Sequence, residues 1–281
     1  MSAKKTSEQS SARLVILGGG NLGKALSRGL VRSGTLRPEQ IHVTRRRPEG
    51  LEDLAAEGFG VGTNNLAAIE RGGTVLIAVQ PQQIADLLNE IRDDLDPDRH
   101  KVISVVSGVT VAQLQEMIPA PIPVVRAMPN TAVSIGESMT CLSAAPESSD
   151  GLDDAEALFK GVGRTLRIAD EMMVGATALC ACGIAFFLRS VRAASQGGIE
   201  IGFHPEDALL LAAQTARGAA SLALRDNQHP ESEIDRVTTP RGCTIAGLNE
   251  MEHQGFSSAM IKGFVLSARK AGVLFDDGNT A

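Results

Sequence analysis

Six residues near the start of the chain, Gly18-Gly19-Gly20-Asn21-Leu22-Gly23, have the spacing GxGxxG. Four apolar residues, Leu14 to Leu17, run straight into them, and a helical pattern follows to Arg32. Glycines so placed suit the close approach of a pyrophosphate. Gly18 permits a sharp turn out of a strand, Gly20 lets backbone approach the anion, and Gly23 lets the helix pack on the strand. The unbonded N–H groups of Asn21, Leu22 and Gly23, with the positive end of the helix dipole, then face the negative charge. This context points to a dinucleotide site; an ordinary glycine-rich strand-to-helix turn is the bland alternative.

The tip of the second strand decides which dinucleotide. A site for NAD places a carboxylate there, about 20 residues beyond the glycines, to bind the ribose 2′-hydroxyl. Here Ile41-His42-Val43-Thr44 runs into Arg45-Arg46-Arg47, with Glu39 before the strand and Glu49 beyond Pro48. Guanidiniums grip phosphate bidentately. Arg45 and Arg46 are therefore assigned to a 2′-phosphate, and NADP (as NADPH) is the expected cofactor. A solvated basic loop is the alternative.

These groups need a scaffold, and the apolar pattern describes one. From Arg13 to about Ala169, short apolar runs alternate with helical patterns. The expected strands are Leu14–Leu17, Ile41–Thr44, Gly60–Gly62, Val75–Val79, Val102–Val106, Val124–Met128, Met139–Ser143 and Leu166–Ala169. Helices such as Gln82–Ile91 and Val111–Met117 lie between them. Such alternation signals an α/β doubly wound sheet, with a less regular edge where the later connections shorten. After Asp170 only helical patterns remain: Glu171–Ser195, Pro205–Arg225, Glu231–Val237, Thr244–His253 and Ser257–Ala271. The expected division is a disordered tail over 1–11, a cofactor domain over 12–168 and a helical domain over 169–281. The helical half is rich in Ala, Gly, Leu and Met, more than a small bundle needs internally. An intertwined homodimer is expected, or a higher oligomer built on it, unless those faces pack on the first domain.

Composition narrows the class further. With 281 residues, 43% hydrophobic and a net charge of −6, the chain reads as soluble and unsuited to nucleic acid. The polar first residues hold no apolar signal segment, and a cytoplasmic location is expected. The longest uncharged stretch, Met172 to Leu188, falls short of the roughly 20 residues of a membrane span and reads as a buried helix. Cys141, Cys180, Cys182 and Cys243 lack metal-ligand spacing; no metal is expected, and buried free thiols are the expected state. The chain contains no Tyr and no Trp, which excludes reductases whose proton donor is a phenol.

Further motifs follow in order: Ala78-Val79-Gln80-Pro81, Ser104 to Val109 (SVVSGV), Arg126-Ala127-Met128-Pro129-Asn130-Thr131, Gln214 to Ala220 (QTARGAA), His229-Pro230 and Thr239 to Leu248 (TPRGCTIAGL). With GGGNLG, their order and spacing resemble the pyrroline-5-carboxylate reductases, NAD(P)H-dependent enzymes that make proline, from Leu14 to about Leu274. The resemblance implies an N-terminal Rossmann domain followed by an all-α dimerisation domain. It also implies an active site where the cofactor meets the helical domain, with the partner subunit contributing.

By that resemblance Ala78, Val79, Gln80 and Pro81, at the carboxyl end of the fourth strand, run along the cofactor's ribose and nicotinamide. Relatives carry Lys where this chain has Gln80. Asn65 matches a family asparagine near the cofactor, and it could equally cap a helix. Met128-Pro129-Asn130-Thr131 follows the sixth strand at its carboxyl edge, where the Asn130 amide can serve the nicotinamide carboxamide or the substrate. Arg126, within that strand, reads as a structural ion pair. Gly242 and Cys243 precede a helix start suited to the substrate carboxylate. Thr244 is the hydroxyl that hydrogen-bonds the imine nitrogen, with a plain N-cap as its alternative. The histidines are not needed; His229 and His253 cap or flank helices.

The substrate half departs from the family pattern. Relatives read Ser-Gly-Ser-Gly-Pro-Ala-Tyr where this chain has Cys180-Ala181-Cys182-Gly183-Ile184-Ala185-Phe186. Arg241 replaces the first glycine of a Gly-Gly pair, and Ala132 replaces a proline. A drier pocket bounded by Cys182 is expected, with Arg241 binding a second carboxylate, strengthening the first, or facing solvent. The expected reaction is NADPH-dependent reduction of 1-pyrroline-5-carboxylate to L-proline, with a small imine carboxylate as substrate and a second copy of the chain as partner. Another imine acid, or a non-catalytic NADP(H)-binding protein, is the alternative.

Overall fold

Leu14-Val15-Ile16-Leu17 forms the first strand, β1, buried along its whole length. Leu14 and Ile16 join one apolar cluster, with Leu26, Leu30 and Phe159. Val15 and Leu17 join another, with Ile84, Leu88 and Ile91. A strand apolar on both faces belongs in the middle of a parallel sheet covered by helices on each side. β1 takes that position in the computed structural model, which describes residues 13–119, 121–225 and 229–273. The expected N-terminal tail falls outside these residues.

The strands are β2 (Ile41–Thr44), β3 (Gly60–Gly62), β4 (Thr74–Ile77), β5 (Lys101–Ser104), β6 (Val124–Met128), β7 (Ser138–Ala144) and β8 (Gly163–Arg167). They form one sheet in the order β3-β2-β1-β4-β5-β6-β7-β8. The first six are parallel; β7 runs antiparallel to β6, and β8 runs parallel to β7. The irregular edge expected from the sequence is this reversed pair. Strand order changes direction between β1 and β4, and ligands bind open α/β sheets at that switch, beyond the carboxyl ends of the strands.

Helices α1 (Asn21–Arg32), α2 (Glu52–Ala56), α3 (Asn65–Ile69), α4 (Ile84–Ile91), α5 (Val111–Met117) and α6 (Ser149–Lys160) accompany the sheet. β4 and β5 end two residues earlier than expected, because Ala78-Val79 and Val105-Val106 already belong to the turns beyond the strand ends. β8 starts three residues earlier than expected. As an edge strand it is half exposed, so apolar runs do not mark it. Arg167 on β8 is paired to Asp153 and Glu156 of α6, and charges of this kind keep an edge from recruiting another strand.

Two compact units divide the chain, one of residues up to Ala181 together with those from Ser267, the other of residues 182–266. A helical stretch runs from Asp170 to Glu200: a 3₁₀ turn (Asp170–Met172), α7 (Met173–Ala176), a π-helical segment (Thr177–Cys182) and α8 (Gly183–Glu200). Then come α9 (Pro205–Arg225), α10 (Pro230–Val237), α11 (Cys243–His253) and α12 (Phe256–Ala271). In the second unit Phe264 stacks edge-on against Phe186, with ring centroids 5.0 Å apart.

The expectation of a buried helix at Met172–Leu188 is corrected. Leu179, Phe187 and Leu188 are exposed on the single chain. By length and composition the stretch Asp170–Glu200 could cross a membrane, and only 28% of its most apolar window is buried. Uncovered apolar helix faces call for a partner surface.

Candidate active site

Gly18 leaves β1 with φ of +123°, and a Cβ there would strike the Ala78 carbonyl oxygen at 2.3 Å. A Cβ on Gly23 would strike the Gly18 carbonyl oxygen at 2.1 Å. These two glycines are demanded by the fold itself. Gly20 differs: a Cβ there meets nothing within 4 Å. The space at Gly20 is open, as backbone approach to a ligand requires. Gly20 is also the N-cap of α1 and brings no side-chain cap, and no acidic residue stands in the first turn. The helix start therefore offers bare N–H groups at Asn21, Leu22 and Gly23 to an anion.

Beside this turn, Thr44 ends β2 and donates from its hydroxyl to Asn65 Oδ1 at 2.7 Å. Asn65 Nδ2 donates to Glu90 Oε2 at 3.0 Å. The capping alternative for Asn65 is corrected, because Asn64 caps α3 by accepting from the Ala67 amide. Asn65 instead ties the strand tip to α4. Glu90 was missed by sequence reasoning, since nothing in its local pattern marks a residue of an outer helix as a partner for the β2 tip.

Arg45, Arg46 and Arg47 are exposed, and none forms an ion pair among the described residues. The next helix is pinned firmly. Lys24 and Arg28 of α1 hold Asp53 at 2.7 and 2.6 Å, and Arg28 also holds Glu57. These bonds keep the Asp53 carboxyl below the usual range, Lys24 first and Arg28 second. Asp53 and Glu57 are thus committed to α1, and the three guanidiniums beyond β2 have no ion-pair partner among the described residues. Open space at Gly20, a bare helix start and free cations fit a dinucleotide bearing a 2′-phosphate.

Across the switch point, the Ala78 amide donates to the Leu17 carbonyl at 2.8 Å and closes the β1–β4 pairing. Ala78 and Val79 are half-buried, Gln80 is exposed, and Pro81 begins a 3₁₀ turn. Met128 is buried among Cys141, Met173 and Ala176, so its side chain belongs to the core. Asn130 is occupied on three sides. Its amide N–H donates to Ser138 Oγ, its Oδ1 accepts from the Ala132 amide, and its Nδ2 donates to the Cys180 carbonyl at 3.2 Å. One N–H and one lone pair of the carboxamide remain for a ligand. Arg126 is the structural ion pair expected of it. The residue is 4% exposed and holds Asp170 Oδ1 at 2.6 Å, while Asp170 Oδ2 accepts from the Val111 amide.

In the second unit, α11 starts at Cys243 with Gly242 as N-cap and no side-chain cap. The N-cap alternative for Thr244 is thereby corrected: Thr244 is the second residue of the helix. A Cβ on Gly242 would meet Thr239 Oγ1 at 2.5 Å, so close packing selects glycine. Arg241 is exposed and adopts φ of +60°, unique among non-glycine residues described. It forms no side-chain hydrogen bond or ion pair among them. Cys182 closes the π-helical segment and is half-buried. The expected burial of the cysteines holds only for Cys141; Cys243 is exposed and the other two are intermediate. All four are free. His229 caps α10, as expected, by accepting from the Glu231 amide.

A doubly wound sheet with an anion-seeking switch point is the build of a dinucleotide-dependent oxidoreductase. Residues 13–108 match the family described as NADP oxidoreductase, coenzyme F420-dependent. Residues 170–274 match the pyrroline-5-carboxylate reductase dimerisation family. The chain is 49% identical over 274 residues to pyrroline-5-carboxylate reductase 1 of Dictyostelium discoideum, covering 93% of this chain and 50% of that one. It is 46% identical over 282 residues to pyrroline-5-carboxylate reductase 2 of the same organism, covering 95% and 94%. The chain thus spans half of the first relative and nearly all of the second. Its fold is similar to the crystal structure of Plasmodium falciparum pyrroline carboxylate reductase with NADP bound, at a TM-score of 0.85 and 21% identity, covering 95% and 99%. The chain belongs to the pyrroline-5-carboxylate reductase family. It carries an NADP-binding domain and a dimerisation domain.

Proposed function

We propose that this chain reduces 1-pyrroline-5-carboxylate to L-proline with NADPH, as a homodimer joined through its helical domain. The observation that carries the reading is 46% identity across nearly the whole of a relative so named. The proposal includes the division into a cofactor domain over 12–168 and a helical dimerisation and substrate domain over 169–281. It also includes a cytoplasmic setting free of membrane or nucleic acid, which four unpaired cysteines favour.

In this reading the N–H groups at Gly20, Asn21, Leu22 and Gly23 hold the pyrophosphate, and Arg45 and Arg46 hold the 2′-phosphate. Asn65, Ala78, Val79, Gln80 and Pro81 line the riboses; Met128 supplies backbone, and Asn130 the remaining half of its amide, at the nicotinamide. NADPH supplies the hydride. The chain's own task is modest, because a cyclic imine protonates readily and its iminium carbon is already electrophilic. Backbone N–H groups at Gly242, Cys243 and Thr244 hold the substrate carboxylate, with Arg241 adding charge and Cys182 walling the ring. The Thr244 hydroxyl hydrogen-bonds the ring nitrogen and fixes the face presented to hydride. No phenol is needed, which suits a chain without Tyr.

The test is NADPH oxidation by purified protein with 1-pyrroline-5-carboxylate, repeated with Thr244→Ala. Proline should form, and kcat should fall about tenfold or more in the variant, in keeping with the loss of one hydrogen bond to a charged group. The KM for NADPH should not change. Turnover absent while NADPH still binds would overturn the reading in favour of another imine acid or a binding protein.

A further inference from the structure

Two sulfurs that the reaction does not use face each other beneath the Asn130 turn. Cys141 lies on β7, paired across the antiparallel ladder with Met128. Cys180 lies in the π-helical segment Thr177–Cys182. Their Sγ atoms are 3.9 Å apart, although the residues are 39 positions apart in sequence. We propose that Cys141 and Cys180 form a redox-active dithiol that reduces low-molecular-weight disulfides, closes into an internal disulfide, and in closing displaces the Asn130 turn.

The two thiols differ in the way such a pair requires. Cys180 is half-buried and Cys141 is buried, so a small disulfide reaches Cys180 first. The hydrogen bond from Cys141 favours the Cys180 thiolate and lowers its pKa to about 7, against the upward push of burial. The same bond, and then burial, push Cys141 up. Cys180, the less buried residue of the two, is thus the nucleophile at neutral pH, and Cys141 resolves.

The exchange balances in two steps. The Cys180 thiolate attacks one sulfur of the small disulfide; that S–S bond breaks, a mixed disulfide forms, and the first small thiolate leaves to take a proton. Cys141 loses its proton and attacks Cys180 Sγ; the mixed S–S bond breaks and the second thiolate leaves to take that proton. Two protein thiols are oxidised by two electrons, and one small disulfide is reduced to two thiols.

Closure has a structural consequence. From 3.9 Å the sulfurs must approach by about 2 Å to reach bonding distance. Cys180 carries the carbonyl that accepts from Asn130 Nδ2, so moving the π segment toward β7 disturbs the Asn130 carboxamide. The effect on turnover rests on the reading of that turn as cofactor-facing; the dithiol itself does not.

The full chain is equilibrated in mixtures of glutathione and glutathione disulfide, then followed by thiol counting, peptide mass and NADPH oxidation with 1-pyrroline-5-carboxylate. Two of the four thiols should be lost, with a Cys141–Cys180 peptide lighter by two hydrogens. Turnover should fall about tenfold as the site geometry shifts, and dithiothreitol should restore it. Cys141→Ala should stop at a glutathione adduct on Cys180. If that variant does not fold, Cys180→Ala replaces it, and Cys141 should then resist modification. A stable adduct in the unaltered chain, a link through Cys182 or Cys243, or modification of Cys141 in Cys180→Ala overturns the dithiol. A link that leaves turnover unchanged overturns the coupling to Asn130. Absence of turnover in the reduced protein counts against the proposed reaction, while thiol counts and masses still decide the dithiol.

Discussion

The two units of this chain differ in what they bury. In the first, Phe159, Leu14, Ile16, Leu26 and Leu30 are sealed on one side of the sheet, and Ile77, Ile84 and Leu88 on the other. In the second, Ala208 stands alone as a buried apolar side chain among the described residues, while Ile201, Leu210 and Ile261 are 78%, 68% and 63% exposed. A bundle of that composition gains little from burial by itself, since stabilisation follows apolar area removed from water. One unit is complete as a single chain; the other is built to be completed. The glycine turn after β1 rests on the finished scaffold, whereas the turn at Arg241–Thr244, to which substrate binding is assigned in the proposed function, belongs to the unit with uncovered apolar faces.

The sharpest way to break this comparison is to charge the uncovered face. On a free surface, substitutions change stability by about 0.5 kcal/mol or less. Beneath a partner, an unpaired carboxylate costs several kcal/mol. Leu210→Glu with Ile261→Glu should therefore dissociate the assembly, read by sedimentation. Turnover should fall with it by about 100-fold or more, as the geometry that positions substrate is lost. Retention of the dimer would mean that these helices face water, and the contrast between the units would fail.

A smaller effect should stay inside the finished unit. Arg45→Glu with Arg46→Glu removes two cations from the loop beyond β2 and leaves the core untouched. A hydrogen bond to a charged group is worth about 1.5–3 kcal/mol; with one of the two guanidiniums as the principal contact, the KM for NADPH should rise roughly 10- to 100-fold. The KM for NADH and the sedimentation profile should hold. If NADPH binding barely changes, the loop is a solvated basic surface and the 2′-phosphate rests on other groups.

What the sequence made legible followed the same division. β1, β2 and β6 were read to the residue, because strands buried along their whole length carry mostly apolar runs flanked by glycine or charge. β3, a short edge strand, was also placed to the residue but has no such run. Gly18, Gly20 and Gly23 were legible because each serves a different steric demand. β8 was misplaced because an edge strand has no apolar run of its own. The helical half was readable as helices, but the burial of Met172–Leu188 was misjudged, since periodicity tells which face is apolar and not what covers it. Asn65–Glu90 and Cys141–Cys180 join residues on separate elements, and no local pattern carries such pairs. Thr244 was misread as a possible cap because only backbone geometry shows that Gly242 holds that place.

Arg241 gives the finest test. It holds φ of +60°, a left-handed conformation that costs an L-residue about 1–2 kcal/mol. Glycine would relieve that strain but lose more entropy on folding, by about 0.5–1 kcal/mol. Arg241→Gly should therefore raise stability only slightly, by about 0.5–1 kcal/mol, read by denaturant unfolding at fixed protein concentration. Strain of this kind persists where something outweighs it. In the proposed function the Arg241 guanidinium meets the substrate carboxylate, and an exposed ion pair contributes about 0.2–1 kcal/mol, enough to offset part of the strain. The variant should then show a KM for 1-pyrroline-5-carboxylate raised by a few fold, with kcat and the KM for NADPH unchanged. A more stable variant with an unaltered substrate KM would assign Arg241 to solvent, and the substrate turn would rest on its backbone N–H groups alone.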